Sequence, residues 1–262
     1  MRAQVEFALH SPHVGLLTLN IPEKLNALSV AVGEEFQRVV ANDVAKRRDL
    51  RALVVTGAGS AFSAGGDLQF LSDRKDVTPS ENSAEMLRYY DRFLSLRRLV
   101  PVPTIAAISG AAVGAGLVLA MTCDMRVVSV DAKLGVNFSR IGIHAGLGST
   151  HFLPALIGNQ NAAYLLLTGQ LVSGAEAQAM GIALAALPRG EVLGRALAIA
   201  AQVAEASPVA VQATLRTLRA RQDEGLARAL QREADSQAHC YAHADLSEGL
   251  AAIREKRNPH FQ

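Results

Sequence analysis

Tryptophan is absent from the 262 residues, and aromatic side chains together make up 5%. A platform that stacks single-stranded nucleic acid depends on such rings, so the composition argues against that class. No excess of one charge exists either. Twenty-six Lys and Arg against 24 Asp and Glu leave +2, too balanced for a protein that coats a polyanion; any anion it binds must be met by a local patch. Cysteine is nearly missing: Cys123 and Cys240 alone exclude a disulfide scaffold and a cysteine-built zinc site. Long apolar runs are missing too. The longest uncharged candidate, Thr104 to Cys123, is broken by Ser109, Gly110, Gly114 and Gly116 and reads as strand, glycine turn and helix rather than a membrane span. Met1 to His10 alternates (Val5, Phe7, Leu9) and lacks the apolar core of a signal peptide, so a cytoplasmic, reducing location is expected.

What is present is a globular α/β pattern: half the residues are hydrophobic and 19% charged. Val5 to Leu9 and Gly15 to Asn20 read as paired strands. Ser29 caps a helix through Lys46 that carries Val32, Phe36, Val39 and Val40 on one face. Strands are predicted at Leu53 to Thr56, Thr104 to Ile108 and Met125 to Val130, with helices at Glu81 to Leu99 and Gly114 to Met121. From Ser149 to Arg257 the pattern is mostly helical, with one candidate strand at Ile182 to Leu187. The amphipathic, charged helix after Asp223 fits core packing on one side and solvent, or a subunit interface, on the other.

Two near-motifs fail on inspection. Thr56-Gly57-Ala58-Gly59-Ser60 follows a strand, but the third glycine of a dinucleotide fingerprint falls at Phe62. Ala61-Phe62-Ser63-Ala64-Gly65 has Ala61 where a hydrolase elbow needs glycine. Two glycine-rich turns remain, Phe62 to Leu68 and Ser109 to Leu117, each just beyond a buried strand. Small residues let a ligand approach the backbone, and the second turn opens a helix whose free N–H groups suit a negatively charged oxygen. Facing one another, they would hold a carbonyl oxygen that becomes an enolate. Taken singly, each also reads as a tight turn or a close packing contact.

Together these stretches resemble the crotonase family, the enoyl-CoA hydratases and isomerases. The likeness runs through Ile21-Pro22-Glu23-Lys24-Leu25-Asn26-Ala27-Leu28, Phe62 to Leu68, Gly110 to Asp124, Gly142 to Thr150, Leu167-Thr168-Gly169, Glu248-Gly249 and Glu255 to Phe261. It implies an α/β fold with a spiral core of ββα turns over residues 1–200 and a helical trimerisation region over 201–262. It implies a homotrimer or a dimer of trimers, and a coenzyme A thioester as ligand. Coenzyme A is then part of the substrate, and no separate cofactor, metal, nucleic acid or membrane is called for. The family's oxyanion donors map onto the N–H of Gly66 and of Ala115. Ala64, Asp67 and Leu68 would line the adenine and pantetheine path, with Lys24 and Leu25 nearby. Lys24 would meet a CoA phosphate as a point charge, unless it is simply an exposed loop lysine, and Lys256 would do so from a neighbouring subunit.

The sequence departs from this pattern where the protons move. The two customary glutamate positions hold Val118 and Phe138, placed against the acyl end of the substrate, and the stretch that carries an aspartate in other branches is His144-Ala145-Gly146. An oxyanion hole stabilises an enolate but moves no proton, and a positioned acid or base contributes roughly 10²–10⁴ in rate. His144 is the candidate substitute; its plainer reading is a loop histidine bonded to backbone. Asn137, Ser139 and Arg140 are weaker polar candidates, Tyr89 and Tyr90 read as core or lid, and His239 and His243 as a surface pair on a helix. Isomerisation, decarboxylation or another enolate reaction fits better than hydration. A non-catalytic acyl-CoA-binding protein on the same scaffold is the alternative, while the balanced charge argues against an RNA-binding role.

Overall fold

A computed structural model describes residues 3–262. Its core is a six-stranded sheet ordered β1-β2-β3-β5-β7-β10. These strands are β1 (Val5–Ser11), β2 (Val14–Leu19), β3 (Ala52–Gly57), β5 (Thr104–Ile108), β7 (Met125–Ser129) and β10 (Ala185–Leu187). Only β1–β2 is antiparallel, joined by a tight turn; β2, β3, β5, β7 and β10 run parallel. Every residue of β5 is buried, as are five of the six in β3, because helices cover both faces. On one face α7 (Val192–Glu205) lays Val192, Ala196, Ile199 and Ala200 against Val54, Ile105 and Val127. The other face carries the larger core, including Leu53, Val55, Phe36, Phe93 and Leu117.

Although the family resemblance implies ββα turns, the residue pattern did not mark a second, smaller sheet. Its strands β4 (Ala61–Ser63), β6 (Ala111–Val113), β8 (Lys133–Gly135) and β9 (Val172–Ser173) are only two or three residues long, too short to show a period of two. β4, β6 and β8 are parallel neighbours. Each follows a strand of the large sheet and precedes a helix: β3-β4-α3 (Pro79–Leu99), β5-β6-α4 (Ala115–Thr122) and β7-β8-α5 (Ser149–Thr168). These are the expected ββα turns, stacked three deep.

The helix expected over 29–46 divides into α1 (Val30–Val39), capped by Ser29, and a π-turn at Val40–Val44. α5 is kinked at Gly158, whose φ of 75° and ψ of 161° are non-helical. A short α2 (Leu68–Ser72) and a 3-10 turn at Asn137–Ile141 complete the region before α5. Past α6 (Gly174–Met180) and α7 come α8 (Pro208–Asp223), α9 (Leu226–Tyr241) and α10 (Ala244–Glu255). α9 packs along α3, and α10 rests on α2 and the 3-10 turn. His239 and His243 do not share a helix, because α9 stops at Tyr241 and His243 caps α10 through the Asp245 N–H. Among the described residues no single helix is long and apolar enough to cross a membrane.

One buried ion pair ties α8 to the sheet. Arg219 reaches Asp124 through Nε (2.9 Å) and Nη2 (2.7 Å), and donates to the carbonyls of Val100 (2.6 Å) and Val102 (3.3 Å). Asp124 also accepts from the Thr104 N–H at the start of β5. Removing one partner of such a pair strands the other charge, so Asp124→Ala should lower unfolding free energy by about 3–5 kcal/mol. Urea denaturation checks this, with a lower midpoint at an unchanged slope.

Candidate active site

Both glycine-rich turns leave the C-terminal ends of adjacent parallel strands, β4 and β6. Their backbones touch. Gly65 has a φ of +98°, and a Cβ there would stand 2.6 Å from the Val113 carbonyl oxygen and 3.5 Å from the Ala115 nitrogen. A Cβ on Gly116 would meet the Ser63 carbonyl oxygen at 2.5 Å. Only glycine permits this approach. It brings the peptide units of Gly66 and Ala115 to one cavity, and among the described residues neither N–H meets a protein acceptor. Ala115 opens α4, which has no side-chain cap, so its first-turn N–H groups and the positive end of the helix dipole are left for a ligand.

Buried polar groups hold the first turn. The Asn26 Oδ1 accepts from the Ile21 N–H (2.8 Å), and its Nδ2 donates to the carbonyls of Ala58 and Ala61 (both 2.9 Å). Asn26 does this at a φ of 54°, a region that asparagine tolerates better than most residues. The Ser63 hydroxyl donates to the Asn26 carbonyl (2.8 Å) and accepts from the Gly65 N–H (3.2 Å). Leu28 pairs with the turn as an isolated bridge to Gly66, and its carbonyl accepts from the Tyr89 hydroxyl at 2.7 Å.

The cavity measures about 80 Å³. Gly66, Gly114 and Ala115 form one wall, with Ala64 and Gly65 beside them; Leu68, Phe70 and Leu71 of α2 and Met86, Tyr89 and Tyr90 of α3 form others. Asn137, Phe138, Ile141, Ile143, Gly146 and Leu147 come from the segment after β8, and Gln237, Tyr241 and Ile253 from α9 and α10. No Asp, Glu, His, Lys or Arg is among these lining residues. Burial raises the tyrosine hydroxyls well above their ordinary pKa, which keeps Tyr89, Tyr90 and Tyr241 neutral donors.

Several sequence expectations meet this geometry. Gly66, Ala115, Ala64, Leu68 and Phe138 line the cavity. Val118 does not: it is fully buried within α4 among core residues, so its side chain is packing rather than a contact of the acyl end. His144 is also absent from the lining; its Nδ1 faces the Ala145 carbonyl at 2.6 Å, and its own carbonyl accepts from Gln237. That matches the plainer reading of a loop histidine bonded to backbone. Lys24 and Asp67 lie on a separate cleft of about 190 Å³ with Glu23 and Ser29, and Leu25 is exposed at 47% beside it in sequence. Lys256 is exposed at the end of α10, whose Ile253 reaches the cavity of its own chain.

Sequence reasoning missed Gln237, Tyr241 and Ile253, because the C-terminal helices were read as an oligomerisation region. Gln237 accepts from the Tyr90 hydroxyl (2.8 Å) and donates to His144 (2.7 Å), clamping the wall from α9. One turn earlier, the buried Glu233 accepts from the N–H groups of Gly148 (2.6 Å) and Thr150 (2.8 Å). Burial raises its pKa, opposed by these donors. Glu233 therefore serves the start of α5 and does not replace the missing carboxylates. The amphipathic pattern after Asp223 was the only available signal, and it does not name the surface it covers.

Known proteins resemble this chain over nearly its whole length. The family profile described as enoyl-CoA hydratase/isomerase matches residues 10–262. A Thermus thermophilus relative, provisionally named an enoyl-CoA hydratase, is 36% identical over 252 residues, 95% of this chain and 97% of its own length. An enoyl-CoA hydratase/isomerase structure from Pseudoalteromonas atlantica is 29% identical and superposes with a TM-score of 0.84 over 99% of this chain and 100% of the other. An enoyl-CoA hydratase from Mycobacterium avium subsp. paratuberculosis, 26% identical, covers 99% of each chain with a TM-score of 0.85. The chain belongs to the enoyl-CoA hydratase/isomerase family and has the crotonase fold.

Asn26 is the side chain on which the first turn hangs. Replacing it with alanine strands the buried Ile21 N–H and the carbonyls of Ala58 and Ala61, so Asn26→Ala should cost about 2–4 kcal/mol by thermal or urea unfolding.

Proposed function

We propose that the cavity takes the acyl end of a coenzyme A thioester, with its carbonyl oxygen between the N–H groups of Gly66 and Ala115. Lys24 and Lys256 would meet the CoA phosphates as point charges. Negative charge developing on that oxygen falls on two fixed donors and the start of α4, and one such donor is worth roughly 10²–10³ in rate. The reading rests on family membership and on two N–H groups with no acceptor among the described residues.

One observation supports a choice of reaction: among the described residues, no carboxylate, imidazole or amine lines the cavity. Hydration needs a base to activate water and an acid to protonate carbon, and isomerisation needs a base to take a proton. Neutral buried tyrosines supply no base. An enolate can instead arise by breaking a carbon–carbon bond. In a 2-carboxyacyl thioester, the bond between C2 and the carboxylate breaks, its electron pair moves into the enolate, and carbon dioxide leaves. C2 then takes a proton from solvent. Decarboxylation therefore suits this cavity better than hydration, and non-catalytic acyl-CoA binding is the second reading that the same lack of acid and base supports.

The assembly that accompanies this reading is a trimer or a pair of trimers. It would cover large apolar side chains that a single chain leaves in solvent, such as Leu167 at 78% and Val209 at 77% exposure. Sedimentation as a monomer would count against it.

Crotonyl-CoA should be hydrated at least about 100-fold more slowly than by a member that keeps its carboxylates. Malonyl-CoA or methylmalonyl-CoA should release carbon dioxide and, in deuterated water, gain deuterium at C2. Ala115→Pro deletes one donor at the first helical position, where proline is tolerated, and should lower kcat by about 10²–10³ with far-ultraviolet circular dichroism unchanged. Tight acyl-CoA binding without carbon dioxide release would favour the binding protein; hydration at an ordinary family rate would sink the reading.

A further inference from the structure

The polar side chains of the cavity are committed to the protein, with one exception. Tyr89 donates to the Leu28 carbonyl, Tyr90 to Gln237, and Gln237 to His144, while the Tyr241 hydroxyl meets the Met86 sulfur at 3.0 Å. Among the described residues, Asn137 alone of these lining side chains makes no hydrogen bond within the protein. It begins the 3-10 turn after β8, and its Oδ1 stands 3.3 Å from where a Cβ on Gly114 would be. Its amide is therefore held beside the turn that presents the Ala115 N–H. With no protein partner to fix it, the amide can turn either its oxygen or its NH2 toward a ligand.

Resting on the decarboxylation reading, we infer that Asn137 is a substrate-contacting residue that donates to the carboxylate leaving from C2 and sets its orientation. Asn137 is half-buried, so a substrate that supplies an acceptor there gains a hydrogen bond that a thioester without one does not. The neutrality of the amide matters. An arginine or lysine would pair with the carboxylate and stabilise the bound substrate, which raises the barrier to losing it. A lone amide can orient the carboxylate out of the thioester plane, where the breaking bond overlaps the carbonyl, with less stabilisation than an ion pair gives. Charge leaves the carboxylate as carbon dioxide forms and arrives on the oxygen held by Gly66 and Ala115. The inferred substrate class is thus a thioester bearing a carboxylate on C2, as opposed to an unsubstituted acyl or enoyl thioester.

The test uses malonyl-CoA and methylmalonyl-CoA as reactive probes, with butyryl-CoA, which has no carboxylate, as the binding control. Asn137→Ala should lower kcat/KM for the carboxylated probes about 10- to 100-fold, the worth of one hydrogen bond to a charged group. Part of that loss should fall in kcat, since orientation is affected as well as binding. Asn137→Asp sets like charges together and should lose more, and both variants should bind butyryl-CoA as the parent does. An equal loss of butyryl-CoA affinity would make Asn137 a structural residue and overturn the inference. Unchanged turnover in Asn137→Ala, while the parent releases carbon dioxide, overturns this inference alone. If the parent releases none from either probe, the decarboxylation reading fails and this inference fails with it.

Discussion

The site depends on two peptide backbones coming into van der Waals contact. Gly65 lies against the Val113 carbonyl, and Gly116 lies against the Ser63 carbonyl. A single methyl group at either position would push the turns apart. With contact made, Gly66 and Ala115 line one cavity, and their N–H groups, the proposed donors, need no side chain. Since backbone donors do not depend on rotamers, they are preorganised once the strands beneath them are in register. The small β4-β6-β8 sheet supplies that register, and the large sheet fixes the small one through the repeated strand–strand–helix turn.

Around this rigid centre the molecule places an apolar wall. Tyr89 stacks on Phe70 at 5.0 Å and meets Phe93 edge-on at 5.1 Å, which locks α2 to α3 beside the first turn. From the other side α9 delivers Gln237 and Tyr241, and α10 delivers Ile253. The C-terminal helices therefore complete a cavity within one chain, whatever part they take in assembly. Glu233 and Gln237 sit one turn apart on α9 and bond to successive parts of the 143–150 segment. Their polar atoms are used for architecture, which leaves the cavity with donors but no base.

Much of this was legible beforehand. The apolar runs at Leu53 to Thr56 and Thr104 to Ile108 read as strands, and the structure has β3 and β5 there, parallel and buried on both faces. The turns were legible because glycines clustered at the ends of those runs, and the family resemblance gave Gly66 and Ala115 their order. Three things were not legible. Strands of two or three residues carry no period. Val118, one residue inside a helix that is apolar on every side, gives no sign of which way it points; it belongs to the core. His144 lies between cavity residues Ile143 and Gly146 in sequence, yet its ring bonds to its own loop.

By itself the sequence determined chemistry of composition and order: the family, the glycines that only a close backbone approach requires, and the apolar residues Val118 and Phe138. These are local properties, carried by residue identity. Tertiary structure decided which side chains share a space. Asn137, Gln237 and Tyr241 come from segments up to about a hundred residues apart, and only tertiary packing, α9 along α3 included, brings them to one cavity. Whether a polar atom is spent inside the protein or left for a ligand is likewise a property of its neighbours in space, which no window of sequence contains.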